Sequence, residues 1–600
     1  MTGHSGSDAP STPLTRIVLG FVILVTAALS ASTWRVYGHT WDEPEHLAAG
    51  IELLDRGRYE YDTEHPPIGR ILMALGPYLA GARSYGTPPP DGVQEGLDIL
   101  YRSGHYDEFL TLARLGMMPF YVLLLLAMWL WARRVACDDT EALLGVVLLA
   151  TVPPILGHAA LAALDVAAAA TSLLALYALQ SWIVSARWRD AAFFGAATGL
   201  AFATKFSAIP FVALGMIVLG SARIISVTAD RRAFPWRAKL GGLALAIAVA
   251  AIPVVMAYGI HSADPRLATR RFNWAVGYWL DGHPQAIASI TSLSSHIWLP
   301  RAFKLFAEGV TALKAHNDTG HISFLLGRLK ANGWWYFYLV GLTAKSPITL
   351  LLSSPIGLAL MARDGWRERN LWRLAPLLLF VTLLVFASTF SHINIGIRHV
   401  FILYPFLALG GAYALAKAWR ALATLTNRQA FVAGRAAILV LVGWQVSSLW
   451  TAYPDYLPYF NEGVADPRHV LVDSDLDWGQ DLRRLEGRLT DLKVHNLSLA
   501  YLGTADLERE HLPSFTRLAP YQPTTGWIAI TALTRVHWPQ GYSWINAYKP
   551  IERIGKTIDL YYITPPRGDA RCAPAPADAN SKTPSTPGPA SASSHCPGTV

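Results

Sequence analysis

Charge is scarce in this chain. Only 15% of its 600 residues are Asp, Glu, Lys or Arg, against about 25% in soluble proteins, while 52% fall in the hydrophobic set. That balance excludes an ordinary water-soluble enzyme. Cysteine is scarcer still, at three residues: Cys137 beside a basic loop, and Cys572 and Cys596 near the end. No zinc-ligand spacing and no dense disulfide framework can be built from them; at most the last two could bridge. A concentrated basic patch is also missing. The formal charge is +8, but Lys and Arg fall in short connections between apolar runs, which argues against nucleic acid as a partner. What the sequence does contain is a succession of windows of about 20 apolar residues, the length that crosses about 30 Å of hydrocarbon. The fold class is therefore a polytopic α-helical membrane protein.

Eleven spans are expected, at roughly 15–32, 111–132, 142–160, 163–184, 191–204, 207–222, 240–260, 336–361, 374–390, 399–417 and 436–452. The first follows Arg16 and ends in Ala28-Leu29-Ser30-Ala31, faintly like a signal-peptide cleavage site, but it is expected to stay as an anchor. Basic residues in the short loops fix the orientation. Arg133 and Arg134, Arg187 and Arg189, Arg223 to Lys239, Arg363 to Arg373, and Lys417 to Arg435 all fall on one side, which is cytoplasmic by the positive-inside rule. Two long loops, 33–110 and 261–335, and everything after 452 are then outside. Residues 1–14 form a cytoplasmic tail and 15–452 the membrane domain.

Residues 453–567 change character towards a small outer α/β domain. Strands are expected at Val470–Val472, Leu497–Leu502, Trp527–Leu533 and Thr557–Ile563, with an amphipathic helix at Leu482–Leu492. From 568 to 600, Pro, Ala, Ser and Thr dominate, a composition that cannot offset the entropy of ordering, so a disordered tail is expected.

The first outer loop opens with Trp41-Asp42-Glu43-Pro44-Glu45-His46, acids placed where charge beside hydrocarbon must be solvated or functional. Glu64-His65-Pro66-Pro67-Ile68-Gly69-Arg70 follows, with prolines that stiffen the backbone and can aim His65. Taken singly, each is explained as well by an interfacial anchor or a helix start. The orientation assigned from basic loops nevertheless puts Asp42, His65, Asp165 and Arg398 at one membrane face. Lys205 joins them if the short fifth span is real, whereas Lys345 falls deeper. The run Asp473-Ser474-Asp475-Leu476-Asp477 begins like a calcium loop, but Trp478 stands where the turn needs Gly and Arg484 where a closing carboxylate belongs, which argues against an EF-hand.

Asp42-Glu43 after the first span and His65-Pro66-Pro67 downstream resemble the first outer loop of the GT-C superfamily of glycosyltransferases, in particular its bacterial family 39-type, protein mannosyltransferase-like and aminoarabinose transferase-like members. Ala163-Leu164-Asp165-Val166, Ala203-Thr204-Lys205-Phe206, Gly333-Trp334-Trp335-Tyr336 through Ala344-Lys345-Ser346-Pro347, and Asn394-Ile395-Gly396-Ile397-Arg398-His399 extend the resemblance over roughly 15–420. Tyr459-Phe460-Asn461-Glu462 and Asp473 to Asp481 resemble a feature of one bacterial branch, without a chemical role attached.

The resemblance implies a GT-C-type bundle and a membrane-embedded, inverting transferase that takes a sugar from a polyprenyl-phosphate donor and passes it to a protein, lipid or glycan acceptor at the outer face of a cell inner or plasma membrane. Asp42 would be the base, with Glu43 orienting or substituting. Arg398, then Lys345 and Lys205, would hold the donor phosphate, because a leaving phosphate needs cationic or metal stabilisation where water is scarce. His65, Asp165, Arg70 and His399 would orient the acceptor or the site. No cofactor is implied with certainty; a divalent metal is possible and its ligands unknown. Two other classes remain open at this level: a transporter, for which no inverted repeat is visible, and a transferase-shaped receptor or scaffold.

Overall fold

The computed structural model describes residues 11–89, 91–136, 138–229, 236–259, 265–296 and 301–565. The expected tail 568–600, most of the 1–14 tail and all three cysteines lie outside the described residues.

Helix α1 (Pro13–Ser32) starts where Thr12 accepts the Thr15 N–H through its side chain and Pro13 fills the first turn. Its Leu14, Ile17, Phe21 and Leu24 are exposed, as are Val432, Leu439 and Val440 of the Arg428–Ala452 helix. Apolar surface of this kind suits a hydrocarbon solvent. Among the described residues seven helices are long and apolar enough to cross a membrane, or up to nine if each of two bent pairs is one span. Each of the eleven expected segments coincides with a helix or a bent pair; Trp188–Phe202 has only 15 residues and Ala375–Phe390 only 16.

The segment expected at 336–361 is bent. Phe337–Lys345 and Ile348–Arg367 meet at 119°. Pro347 cannot donate to the first helix, and it holds Ser346 extended (φ −90°, ψ 141°), which ends that helix at Lys345. The 142–160 segment is likewise bent, by 66°, before Pro153.

The first long loop is a folded unit of three helices, α2 (Glu43–Arg56), α3 (Pro67–Leu79) and α4 (Gly92–Arg102), leading into the long α5 (Tyr106–Ala136). Its helices touch backbone to backbone at two glycines. A Cβ on Gly50 would lie 2.3 Å from the Arg70 carbonyl, and one on Gly96 2.0 Å from that of Pro44. The second long loop contributes the helices Pro265–Trp279, Pro284–His296 and Arg301–Thr319, then a hairpin of β1 (Ile322–Leu325) and β2 (Arg328–Ala331). Its two-residue turn places Leu326 and Gly327 at positive φ (48° and 77°), the geometry that matches strand twist in tight hairpins.

Beyond the last long helix, β3 (Asn496–Ala500), β4 (Ser514–Arg517), β5 (Gly526–Thr531), β6 (Glu552–Ile554) and β7 (Ile558–Ile563) form one mixed sheet in the order β4-β3-β5-β7-β6. β3 is parallel to β4 and β5, and β7 antiparallel to β5 and β6. The helix Leu482–Asp491 packs Leu482, Leu485 and Leu489 into a small core with Leu497, Leu499 and Leu560. The strand expected at Val470–Val472 is not formed. Pro467–Val470 is a short helix capped by Asp466, and the chain turns into a 3₁₀ turn at Asp473–Asp475; Val470 and Leu471 pack into the main core, and Val472 against Leu476, Ala532 and Leu533.

The glycine contacts make a prediction. Gly50→Ala forces α3 away from α2, and overpacking of this kind costs about 1–3 kcal/mol. Thermal unfolding in lipid should show a clear fall in midpoint, whereas an unchanged midpoint would mean that the two helices have slack.

Candidate functional site

Asp42 sits immediately before α2, on a segment held from outside. Gly38 N–H donates to the Gln480 carbonyl and Trp41 N–H to that of Trp478, both at 3.0 Å. Arg398 sits at the start of the 3₁₀ segment Ile397–Leu403, where Ile397 N–H donates to both carboxylate oxygens of Asp475 at 3.3 Å. The segment 473–481 thus braces both residues. It brings Arg398 Nη1 to 2.7 Å from Asp42 Oδ2 and 3.4 Å from Asp165 Oδ2, while Lys205 Nζ lies 2.6 Å from Asp165 Oδ1. Trp478 lies against the guanidinium, its ring 4.3 Å from Arg398 Cζ. Two cations and two anions are gathered here from positions as distant as 42 and 398. The Nε–H of Arg398 is buried and has no hydrogen-bond partner among the described residues.

Asp42, Lys205, Arg398 and His399 line a cavity of about 1330 Å³, together with His65, Glu45, Asp473 and Trp478. Asp42 is the most open of the four paired charges, with 26% of its side chain accessible, against 7% for Arg398 and 1% for Asp165. Asp165 therefore stands behind the two cations and reaches the cavity only through them.

Glu43 is not a second cavity acid. Its oxygens accept from Arg114 at 2.8 Å and from the N–H groups of Thr40 and Ala162, and it does not line the cavity. Burial opposes its charge, but Arg114 and these hydrogen bonds outweigh that and hold its carboxyl below the usual range. Lys345 also departs from the expectation. Its Nζ donates to the carbonyls of Leu457 and Asp475 beneath Phe460, away from the cavity, so it ties its helix to the segment after the last long helix. Arg70 is fully buried and pairs with Asp62, donating also to Tyr59 Oη and His46 Nδ1. His65 lines the cavity and is held through Nδ1, 2.9 Å from Asp62 Oδ2.

Asp62, Glu45, Asp473 and Trp478 escaped the sequence reading as site residues. Asp62 is held well below the usual carboxylate range by Arg70 and His65, against burial. Glu45 stands one helical turn after Asp42 and is pushed up to about 8 by burial, with Asp62, Asp42 and Glu64 adding to it against Arg70. Its spacing from Asp42 was a usable signal; its environment was not. Ligand atoms of His46, Asp62 and His65 lie within 4.8 Å of one another, as a metal centre requires. Yet the Arg70 guanidinium already donates to His46 Nδ1 and Asp62 Oδ2. A permanent cation spends two of the three donors, so this cluster does not fit a divalent ion.

No family model and no curated protein matches the chain. Among solved structures it is similar to ArnT from Cupriavidus metallidurans bound to undecaprenyl phosphate, at 12% identity over 90% of this chain and 97% of that one, with a TM-score of 0.42. It is similar also to an oligosaccharyltransferase of Archaeoglobus fulgidus (13% identity, 72% of this chain and 52% of that one, TM-score 0.43). A third similarity is to the protein O-mannosyltransferase Pmt1-Pmt2 complex of S. cerevisiae (17% identity, 44% of this chain, TM-score 0.36), of whose matched chain this one spans 36%.

The Glu45 environment has a measurable consequence. The carboxyl is raised from 4.5 to about 8, so the fold favours its neutral form. Its contribution to stability is complete below 4.5 and is lost as pH rises towards about 8. Glu45→Gln is neutral at every pH, so its unfolding midpoint relative to the parent chain should climb across that window and level off above it. A constant difference would show that Glu45 is solvated and ordinary.

Proposed function

We propose that the chain is a GT-C-type membrane glycosyltransferase that moves a sugar from a polyprenyl-phosphate donor to an acceptor, with inversion. The observation that supports this most is the direct pairing of Asp42 with Arg398 in the cavity wall, which sets a general base beside a phosphate-binding cation. The resemblance of the surrounding motifs to GT-C transferases supplies the reaction class. The orientation read from basic loops puts the site at the outer face of the plasma or inner membrane.

The chemistry follows from the charges. Arg398, backed by Lys205, takes the donor phosphate, and its unpartnered Nε–H gives a donor for one phosphate oxygen. Phosphate competes with the Asp42 carboxylate for the guanidinium and frees Asp42 for the acceptor hydroxyl. That hydroxyl attacks the anomeric carbon as its proton passes to Asp42, and the bond from the anomeric carbon to the phosphate oxygen breaks with its electron pair leaving on the phosphate. The phosphate gains one negative charge while Asp42 loses one, so the net charge beside the two cations is unchanged. Asp165 touches neither reactant. It is a positioning residue that keeps Lys205 and Arg398 side by side, and Trp478 fixes the guanidinium plane from the outer segment.

Purified chain in lipid, incubated with a panel of polyprenyl-phosphate sugars and cell-envelope extract and followed by mass spectrometry, should consume one donor. Asp42→Asn should lower transfer by about 10²–10⁴-fold, the usual contribution of a positioned general base, with folding retained. Full turnover by that variant would remove Asp42 from the role. Trp478→Phe should keep most transfer and Trp478→Ala should lose about tenfold, since a cation–π contact of this kind is worth about 0.5–2 kcal/mol; equal losses in both would mean that the ring acts only by packing.

A further inference from the structure

A second cavity, of about 460 Å³, lies between the first outer loop and the sheet-bearing segment, within the size range of ligand sites. Its walls include His39, Tyr101 and Tyr106 on one side and Arg483, Glu486 and Glu510 on the other. It is separate from the transferase cavity but shares a wall with it. Trp41 and Trp478 face the large cavity, while Gly38, His39 and Gly479, from the same two hydrogen-bonded segments, face the small one.

The lining is built, not incidental. His39 is only 3% exposed, and its Nδ1 lies 2.8 Å from the Tyr106 hydroxyl, which also accepts the His39 backbone N–H. Its Nε2 is a buried polar atom with no partner among the described residues. Burial holds the ring neutral, down to about 4, with Arg114 and Arg483 adding against Glu43. Leaving such an atom unpaired is costly unless something else pairs with it. The Tyr101 and Tyr106 rings lie 5.0 Å apart at 41°, offering an apolar face beside polar edges. The Tyr101 hydroxyl donates to Glu510, which burial and the adjoining Glu486 push up to about 8.

Charge narrows the ligand class. Asp107 faces Arg483, and Asp98 (2.8 Å) and Asp506 (3.0 Å) face Arg509, so both guanidinium charges are offset by carboxylates. Asp107, Glu108, Glu486 and Glu510 outnumber them. Acceptors from carboxylates and tyrosines, a buried imidazole edge and flat aromatic surface together match a neutral polyhydroxylated ring: its hydroxyls both donate and accept, and its C–H face lies on an aromatic.

We infer that the small cavity is a carbohydrate-binding subsite formed by His39, Tyr101 and Tyr106 together with Glu486 and Glu510. Identifying its saccharide as part of a glycan acceptor rests on the transferase reading; the binding itself does not. In that arrangement the shared wall is the ledge across which an acceptor chain passes from the subsite to Asp42.

The test uses the full chain in lipid nanodiscs without donor, titrated with short soluble oligosaccharides of mannose, glucose, galactose and N-acetylglucosamine, and read by saturation-transfer NMR. At least one should bind saturably, equally well in the parent chain and in Asp42→Asn. His39→Phe and Glu486→Ala should each weaken it about tenfold, the worth of one strong hydrogen bond. In the parent chain the same saccharide should shield Glu486 and Glu108 from carbodiimide labelling, which needs no variant to fold. Absence of saccharide binding, binding indifferent to both substitutions, or labelling that saccharide leaves unchanged would each overturn the subsite. Binding retained in a chain that consumes no donor would instead count against the transferase reading alone.

Discussion

The structure depends on a cluster of four buried or half-buried charges, Asp42, Asp165, Lys205 and Arg398, that neutralise one another inside the fold. Breaking one partner out of a buried pair costs about 3–5 kcal/mol, because the remaining charge is left uncompensated. The cluster is therefore a constraint on the whole fold, since it joins the first long loop to three membrane segments, with the segment 473–481 braced against it. In the proposed reaction the arginine would accept phosphate in exchange for the carboxylate, and the released carboxylate would be the base.

The segment after the last long helix is part of this arrangement rather than an appendage. Asp475 fixes the backbone at Ile397, Trp478 covers Arg398, and the carbonyls of Trp478 and Gln480 hold the strand that carries Asp42. Burial raises Asp475 to about 6, against Lys345, and Asp477 to about 7, against the N–H groups of Leu533 and Gly479. Lys345 belongs to the same bracing, lying under Asp475 and not in the cavity.

Much of this was legible in the sequence, for physical reasons. Apolar windows placed the membrane helices, since hydrocarbon thickness fixes their length, and the basic loops brought Asp42, His65, Asp165 and Arg398 to one face; the structure joins Asp42, Asp165 and Arg398 directly and sets His65 on the same cavity. What was not legible is tertiary. Glu43 looks as functional as Asp42 until Arg114, 71 residues on, is seen to claim it. Arg70 and Lys345 carry the charge a phosphate site wants, yet Asp62 and two backbone carbonyls take them. The 119° break at Pro347 was written in the sequence, but a continuous apolar run concealed it. Val470–Val472 has strand composition and is claimed by packing against other elements.

Exchange of phosphate for carboxylate at Arg398 is the central claim, and the binding of polyprenyl phosphate itself tests it most directly. Affinity should be measured in nanodiscs by phosphorus NMR or calorimetry for the parent chain and for Asp42→Asn. The account predicts that the variant, unable to transfer sugar, binds the lipid phosphate more tightly, because the competing anion is gone. Weaker or equal binding by Asp42→Asn would show that phosphate does not take the place of Asp42, and the exchange would have to be abandoned.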